Sequence, residues 1–352
     1  MTSIRYQPPL AIQPGLSMTL YTALLANHNR KRILPVSESS YQEVIFKGYG
    51  EVPLFGQINI PQVSHGTLIA TYGITGTLGN QWFLHILREK ALNEDYAVVL
   101  FDWRAHGESA KLSPTLTSDG LYEGKDFIHI AAQALEMGCP PPFWFLGYSL
   151  GGQLALWGIK EAQEFGEFRG LKSSDIAGGA VICPNLDSNR SLSYLEQAPL
   201  GKYLEKAITK EVRKLAWQIY EYYPRQIDPE AIARVKSIRQ FDQELVISPL
   251  GFSSTWDYYR ASSPLPFLGN LQKPTLIIYA EDDPLFDPSI TWDLAKACGQ
   301  NPLVELLLTK QGGHVGYISS RACQEAYQDA DQWWAWNRIL SWLDRTKFLY
   351  NT

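Results

Sequence analysis

Cysteine is scarce in this chain. There are 4 in 352 residues, Cys139, Cys183, Cys298 and Cys323, with no C-x-x-C pair and no metal-ligand spacing among them. That excludes a disulfide scaffold and leaves no zinc-site pattern. No apolar run is long enough to span a bilayer, and the first residues lack the apolar stretch of a signal peptide. A cytoplasmic location is therefore expected, with no integral membrane segment. Charge of one sign is also missing: 31 basic against 36 acidic residues gives a formal charge of −5. Neither a basic footprint for nucleic acid nor a charged tail is present. Histidine is sparse as well, with 6 in all, and only His314 lies beyond residue 150.

What is present is a large apolar fraction, 45 % of residues, enough for one big domain with an insertion. Residues 1–64 read as an N-terminal extension. Met18–Asn27 suggests a short helix there, and Tyr41–Lys47 and Pro53–Ile60 flank Gly48-Tyr49-Gly50 as a strand hairpin joining the sheet. From residue 65 the pattern becomes α/β. Thr67–Tyr72, Tyr96–Phe101, Pro142–Tyr148, Gly179–Cys183, Thr275–Ala280 and Leu303–Leu308 read as buried strands. Gln81–Leu92, Asp126–Met137, Leu150–Glu161, Pro288–Cys298 and Gln332–Leu343 read as helices between or after them. Such alternation specifies a mostly parallel sheet with helices on both faces. It fails between 185 and 270, where Lys202–Tyr223 and Pro229–Phe241 are helical and charged. The expected organisation is a core of 65–184 and 271–352 with a helical cap inserted at 185–270.

Chemistry concentrates at strand ends. Gly147-Tyr148-Ser149-Leu150-Gly151 follows an apolar strand and opens a helix, the setting a nucleophile elbow requires. The helix N-terminus then favours negative charge developing beside Ser149. Gly152 permits close helix–sheet packing. In this fold the acid and then the base follow the nucleophile in chain order. After Ala280 come Glu281, Asp282, Asp283 and Pro284; Asp283 is the chosen acid, Asp282 its runner-up, and Asp287 fits better as a cap of the next helix. His314, in Gly312-Gly313-His314-Val315-Gly316-Tyr317, is the candidate base. Thr71-Tyr72-Gly73-Ile74-Thr75-Gly76 follows the first core strand, which assigns oxyanion donation to the Ile74 and Leu150 amides. Asp102 and Arg104 read as structural loop residues, buried polar groups satisfying one another and the backbone.

These motifs together resemble the YheT-type branch of the α/β-hydrolases, related to plant embryogenesis-associated proteins and animal ABHD-type lipid hydrolases. The resemblance spans residues 40–345. It rests also on Phe241-Asp242, Pro249-Leu250-Gly251-Phe252, Trp256-Asp257-Tyr258-Tyr259-Arg260, Asp282-Asp283-Pro284 and the Gly-Gly-His-Val-Gly run. It implies an α/β-hydrolase fold and a serine hydrolase cleaving carboxylic esters, including acyl-lipid or medium-chain esters, through an acyl-enzyme on Ser149. Two alternatives stand beside it: an alcohol O-acyltransferase using the same acyl-enzyme, and a catalytically inactive hydrolase-fold binding protein. The expected partner is a small-molecule or lipid ester; no metal or organic cofactor is implied. Aromatic residues crowd the insertion: Tyr194, Tyr203, Trp217, Tyr220, Tyr222, Tyr223, Trp256, Tyr258 and Tyr259. They either wall an acyl pocket or pack the cap onto the core. Trp333, Trp334, Trp336 and Trp342 belong to a C-terminal helix partly buried on the sheet, and are also compatible with peripheral membrane contact.

Overall fold

The computed structural model describes residues 6–26 and 41–346. The far end of the expected N-terminal helix, Asn27, lies outside the described residues.

A sheet of eight strands forms the core, in spatial order β1-β2-β4-β3-β5-β6-β7-β8. The strands are β1 (Gln42–Lys47), β2 (Pro53–Asn59), β3 (Thr67–Thr71), β4 (Ala97–Phe101), β5 (Phe143–Tyr148), β6 (Ile176–Ile182), β7 (Thr275–Ala280) and β8 (Val304–Thr309). Every pairing from β4 to β8 is parallel, whereas β2 runs antiparallel to both β1 and β4. Strands β3, β4, β5, β6 and β7 are buried along their whole length. That explains why they appear in the sequence as continuous β-branched and aromatic runs rather than as alternating ones. Strand β6 begins three residues earlier than the sequence suggested. Gly178 stands at φ 134°, and a Cβ there would sit 1.9 Å from the Pro274 carbonyl oxygen. Glycine at that point lets β6 continue through an irregularity opposite β5.

Helices cover both faces: α1 (Gly15–Leu24), α2 (Trp82–Asn93), α3 (Glu123–Glu136), α4 (Leu150–Glu164), then α5 (Ser188–Gln197), α6 (Pro199–Tyr222) and α7 (Thr255–Ser262), and finally α8 (Ile290–Gly299) and α9 (Trp334–Thr346). Between β6 and β7 there is no strand among the described residues. The helices there share an apolar cluster of their own, built on Leu192, Leu195, Val212, Ala216, Ile232, Phe241 and Tyr259. The sequence run Pro229–Phe241 divides into two short helices. The second is capped by Ser237, whose hydroxyl accepts from the Gln240 amide. Helix α5 is too polar to stand out by periodicity. Its start is fixed instead by Asp187, whose carboxylate accepts from the Arg190 amide.

Two sequence readings are corrected here. The C-terminal helix α9 is partly buried, as expected, but the four tryptophans lie on its buried side, Trp334, Trp336 and Trp342 within it and Trp333 just ahead of it. Trp336 packs at a tilt against Phe83, and Trp342 meets Trp144 of β5 edge-on; none of the four is available to a membrane surface. No helix among the described residues is long and apolar enough to cross a membrane. Asp102 and Arg104 do not satisfy one another. Arg104 forms a forked pair with Asp126 of α3, at 2.7 and 2.8 Å, and donates to the Tyr49 carbonyl at 2.7 Å. Asp126 also accepts from the Tyr49 amide at 2.7 Å. The pair thereby ties the β1–β2 turn to α3. Removing one member of a buried ion pair leaves the other charge uncompensated, at about 3–5 kcal/mol. Arg104→Leu is therefore expected to lose about that much stability in urea denaturation; a loss below about 1 kcal/mol would contradict the tie.

Candidate active site

Ser149 sits in the turn between β5 and α4 at φ 54°, ψ −131°. The neighbouring glycines explain how a non-glycine residue is held there. A Cβ on Gly147 would lie 2.1 Å from the Gly151 carbonyl oxygen, and one on Gly151 would lie 2.3 Å from that of Tyr72. The two glycines thus make room for each other and for the Tyr72 main chain, more than for the Ser149 backbone itself. The Ser149 amide donates to the Ile182 carbonyl at 3.0 Å, fastening the turn to β6.

The three chosen side chains converge. His314 Nε2 lies 2.8 Å from Ser149 Oγ, and His314 Nδ1 lies 2.8 Å from Asp283 Oδ2. Asp283 follows β7 and His314 follows β8, so all three stand at the C-terminal ends of parallel strands, where open α/β sheets place function. Asp282 faces the other way: its Oδ1 accepts from the Gly313 amide at 2.9 Å. Asp287 accepts from the Ser289 amide at 2.8 Å, just ahead of α8. The loop of Gly73 closes over Ser149, for a Cβ on Gly73 would come within 2.8 Å of the Ser149 Cβ. Ile74 and Leu150 line the same cleft as Ser149. Among the described residues neither of their amides has a hydrogen-bond acceptor, while the Thr75 amide donates to His106.

Residues 65–326 match the family model described as "Alpha/beta hydrolase family". The chain belongs to the α/β-hydrolase family. Over 97 % of its length it is 48 % identical to the Synechocystis protein named "Putative esterase slr0264", covering 95 % of that protein. It is 28 % identical to mouse "Phospholipase ABHD3" over 72 % of this chain and 58 % of that one. The YheT protein of Escherichia coli matches 78 % of the chain at 29 % identity, and 76 % of that protein is covered. These relatives set the chain in the YheT-type branch. Among solved structures, the Pyrococcus furiosus esterase Pf2001 superposes with a TM-score of 0.56 at 17 % identity, covering 97 % of this chain and 98 % of that one, a likeness of fold.

Around this hydrolase's site, contacts distant in sequence do work that the motifs did not disclose. Thr19 of α1 accepts from the His314 amide at 2.8 Å through its Oγ1 and donates to the Gly15 carbonyl at 2.7 Å. A Cβ on Gly15 would collide with the Asp282 carbonyl oxygen, and one on Gly313 with the Gly15 carbonyl oxygen, at 2.0 and 2.3 Å. Helix α1 therefore clamps the His314 loop from outside. Asp102 takes hydrogen bonds from the Tyr72 hydroxyl, the Leu78 amide and the Glu108 amide. Burial nevertheless raises its pKa to about 6. Tyr72, just ahead of Gly73, thus braces the Gly73 loop from beneath.

His106 stacks on Trp103 with ring centroids 3.5 Å apart. Its Nε2 accepts from the Thr75 amide at 3.2 Å, and Nδ1 faces the Arg104 carbonyl at 3.0 Å. Burial lowers its pKa to about 4, so the ring is neutral at pH 7 and fit to accept. Among the described residues, Cys183, Asp283 and His314 are the group close enough to share an ion, with ligand atoms within 4.8 Å of one another. Their donors are already committed. Both His314 nitrogens are engaged, and burial pushes the Cys183 thiol up, holding it protonated. An ion there would have to break the Asp283–His314 bond, so the donor set suits proton handling rather than metal binding.

Of the cap aromatics proposed to wall an acyl pocket, only Tyr259 lines the cleft. The walls are mainly aliphatic, with Leu116, Leu192, Leu195, Ile208, Val212 and Leu285 prominent, and Trp103, Phe241 and Phe286 add aromatic surface.

The His106 shift has a sign. Its folded pKa lies below the unfolded value of about 6.5, so the stability it contributes is complete above that pH and declines as pH falls toward about 4. Linkage then predicts that the stability gap between the native protein and His106→Gln narrows by about 2 kcal/mol from pH 7 to pH 5. A gap independent of pH, by urea denaturation at both, would contradict a neutral buried imidazole.

Proposed function

We propose that the protein is a serine carboxylic-ester hydrolase in which Ser149 is the nucleophile, His314 the base and Asp283 its orienting acid. The observation that carries the reading is the unbroken hydrogen-bonded chain Asp283–His314–Ser149 opening onto a cleft with aliphatic walls. The relatives named for esterase and phospholipase activity support ester cleavage in general.

Ser149 Oγ attacks the ester carbonyl carbon while His314 Nε2 takes the hydroxyl proton. Asp283 accepts from Nδ1, which fixes the tautomer that leaves Nε2 free to act and stabilises the imidazolium that forms. The carbonyl oxygen becomes an oxyanion and turns toward the Ile74 and Leu150 amides, with the N-terminus of α4 adding its dipole. The tetrahedral intermediate collapses, the alcohol leaves with the proton from His314, and an acyl-Ser149 ester remains. Water, deprotonated by His314, then attacks that ester and regenerates the serine. The aliphatic cleft suits an acyl chain.

Ser149→Ala is expected to lower kcat on a p-nitrophenyl ester by about four to six orders of magnitude while the protein stays folded. A variant keeping more than about a tenth of the native rate would remove Ser149 from the mechanism.

The two adjacent acids separate on the same assay. Asp283→Asn should cost on the order of 10⁴ in kcat, because an amide presents the wrong partner to Nδ1. Asp282→Asn should cost on the order of tenfold, since it loosens only the Gly313 amide. The reverse order would transfer the acid to Asp282.

Thr19 acts through His314, as a positioning residue. Thr19→Val removes the acceptor for the His314 amide at constant shape and should lower kcat on the order of tenfold with KM nearly unchanged. Thr19→Ser, which keeps the oxygen, should restore it. Equal loss in both variants would mean that the methyl group, not the hydrogen bond, matters.

A further inference from the structure

The cleft above Ser149 encloses about 930 Å³ of atom-free space, part of it open to solvent. Some of its polar lining is accounted for. Asn185 and Ser188 bond to one another beside the nucleophile turn, and His106 serves the Thr75 amide. What remains is a separate set: Thr117, Asp119, Ser191, Asp242 and Tyr259. Asp119 and Asp242 are 8 % and 6 % exposed, and neither forms an ion pair among the described residues. Asp242 accepts from the Tyr259 hydroxyl, and Asp119 from Thr117 Oγ1 at 3.3 Å. Arg239, a cation whose charge reaches Asp242, is held 5.4 Å above the Tyr259 ring and pairs with Glu196.

Ser191 is the independent witness. It is 4 % exposed, it lines the same cleft, and its Oγ has no hydrogen-bond partner among the described residues. A buried hydroxyl without a partner costs about 1–3 kcal/mol, and a buried carboxyl without a cation costs more. A channel serving only an alkyl chain would be better walled by leucine at all three positions. Gln153, one helical turn beyond Ser149, donates to the Asp119 carbonyl at 2.8 Å, which fixes this polar wall to the first turns of the nucleophile helix.

We propose that Asp119, Asp242 and Ser191 form a subsite that reads a hydroxyl group carried by the ester substrate. The inference rests on the hydrolase reading and extends it to the substrate's chemistry. Burial raises the pKa of both carboxyls, Glu123 adding to the effect at Asp119, and Asp119 to that at Asp242. Carboxyls held toward their neutral form donate and accept at once, as does Ser191. That combination matches a neutral group with the same dual capacity. A substrate carboxylate would meet two acids, and an ammonium could only donate.

The test compares kcat/KM for matched esters, with the hydroxyl placed in turn on each side of the ester bond. In the first arm p-nitrophenyl 8-hydroxyoctanoate is set against p-nitrophenyl octanoate. In the second, monooctanoylglycerol is set against propyl octanoate. One arm should show a preference of about tenfold or more for the hydroxylated ester, and which arm it is tells whether the hydroxyl belongs to the acyl chain or to the alcohol. The quantity read in variants is this ratio. It should fall to about twofold or less in Asp119→Asn and Asp242→Asn, and several-fold in Ser191→Ala, which keeps the test alive if an Asn variant does not fold. No preference in either arm overturns the proposal, as does a ratio that survives the substitutions. A p-nitrophenyl ester ending in trimethylammonium that outcompetes its hydroxyl counterpart overturns it in favour of a cation site. Cleavage of the plain esters with a ratio near one refutes the subsite alone; a native protein that cleaves none of the esters refutes the hydrolase reading with it.

Discussion

The backbone of Ser149 is the constraint on which the rest depends. A non-glycine residue at φ 54°, ψ −131° is costly, by about 1–3 kcal/mol, and persists only where its surroundings leave no alternative. Here the surroundings are main chain rather than side chain. Gly147 and Gly151 bring the two limbs of the turn together, Gly73 brings its loop against the Ser149 side chain, and the Ile182 carbonyl takes the Ser149 amide. The parallel pairing of β5 with β3 and β6 sets the positions of those groups. The strain is held by a sheet, and a sheet buried on both faces is well suited to hold it.

The His314 side of the site is secured differently. Its loop carries three glycines and no regular structure, and its position comes from elements outside the core. Asp282 holds the Gly313 amide, Thr19 holds the His314 amide, and Tyr6 donates to the Ile318 carbonyl at 2.6 Å. Segments preceding the sheet thus complete a site whose chemistry lies almost at the other end of the chain. The loop of Gly73 has its own braces, His106 on the Thr75 amide and Asp102 beneath Tyr72. Both are buried, and their pKa values move in opposite senses, His106 down and Asp102 up, because burial disfavours the charged form of each.

Much of this was legible in the sequence, for physical reasons. Strands buried on both faces announce themselves as apolar runs, so β3, β4, β5 and β7 were placed within a residue at each end; the edge strand β8 was placed as closely because it too is apolar, though only partly buried. Ser149 and His314 were legible because strained turns demand glycine at fixed spacing and because no other histidine follows residue 150. What escaped depended on contacts that spacing does not encode. Thr19 and His314 are 295 residues apart, and nothing local to Thr19 marks it. Arg104 was paired with its sequence neighbour Asp102, whereas its partner is Asp126 of α3. The cap aromatics were legible as abundant but not as directed: Tyr258 and Tyr259 turn inward while Tyr203 and Trp256 face solvent. Composition states how much apolar surface a segment has; only packing decides which of it meets the cleft.

The claim that Ser149 is a nucleophile activated by His314 and Asp283 is tested most directly by labelling with a fluorophosphonate, which phosphonylates only an activated serine. Intact-mass analysis of the native protein should show one adduct per chain, and peptide mapping should place it on Ser149. Labelling should be lost on heat denaturation. No adduct on the folded protein, or an adduct on another residue, would contradict the account.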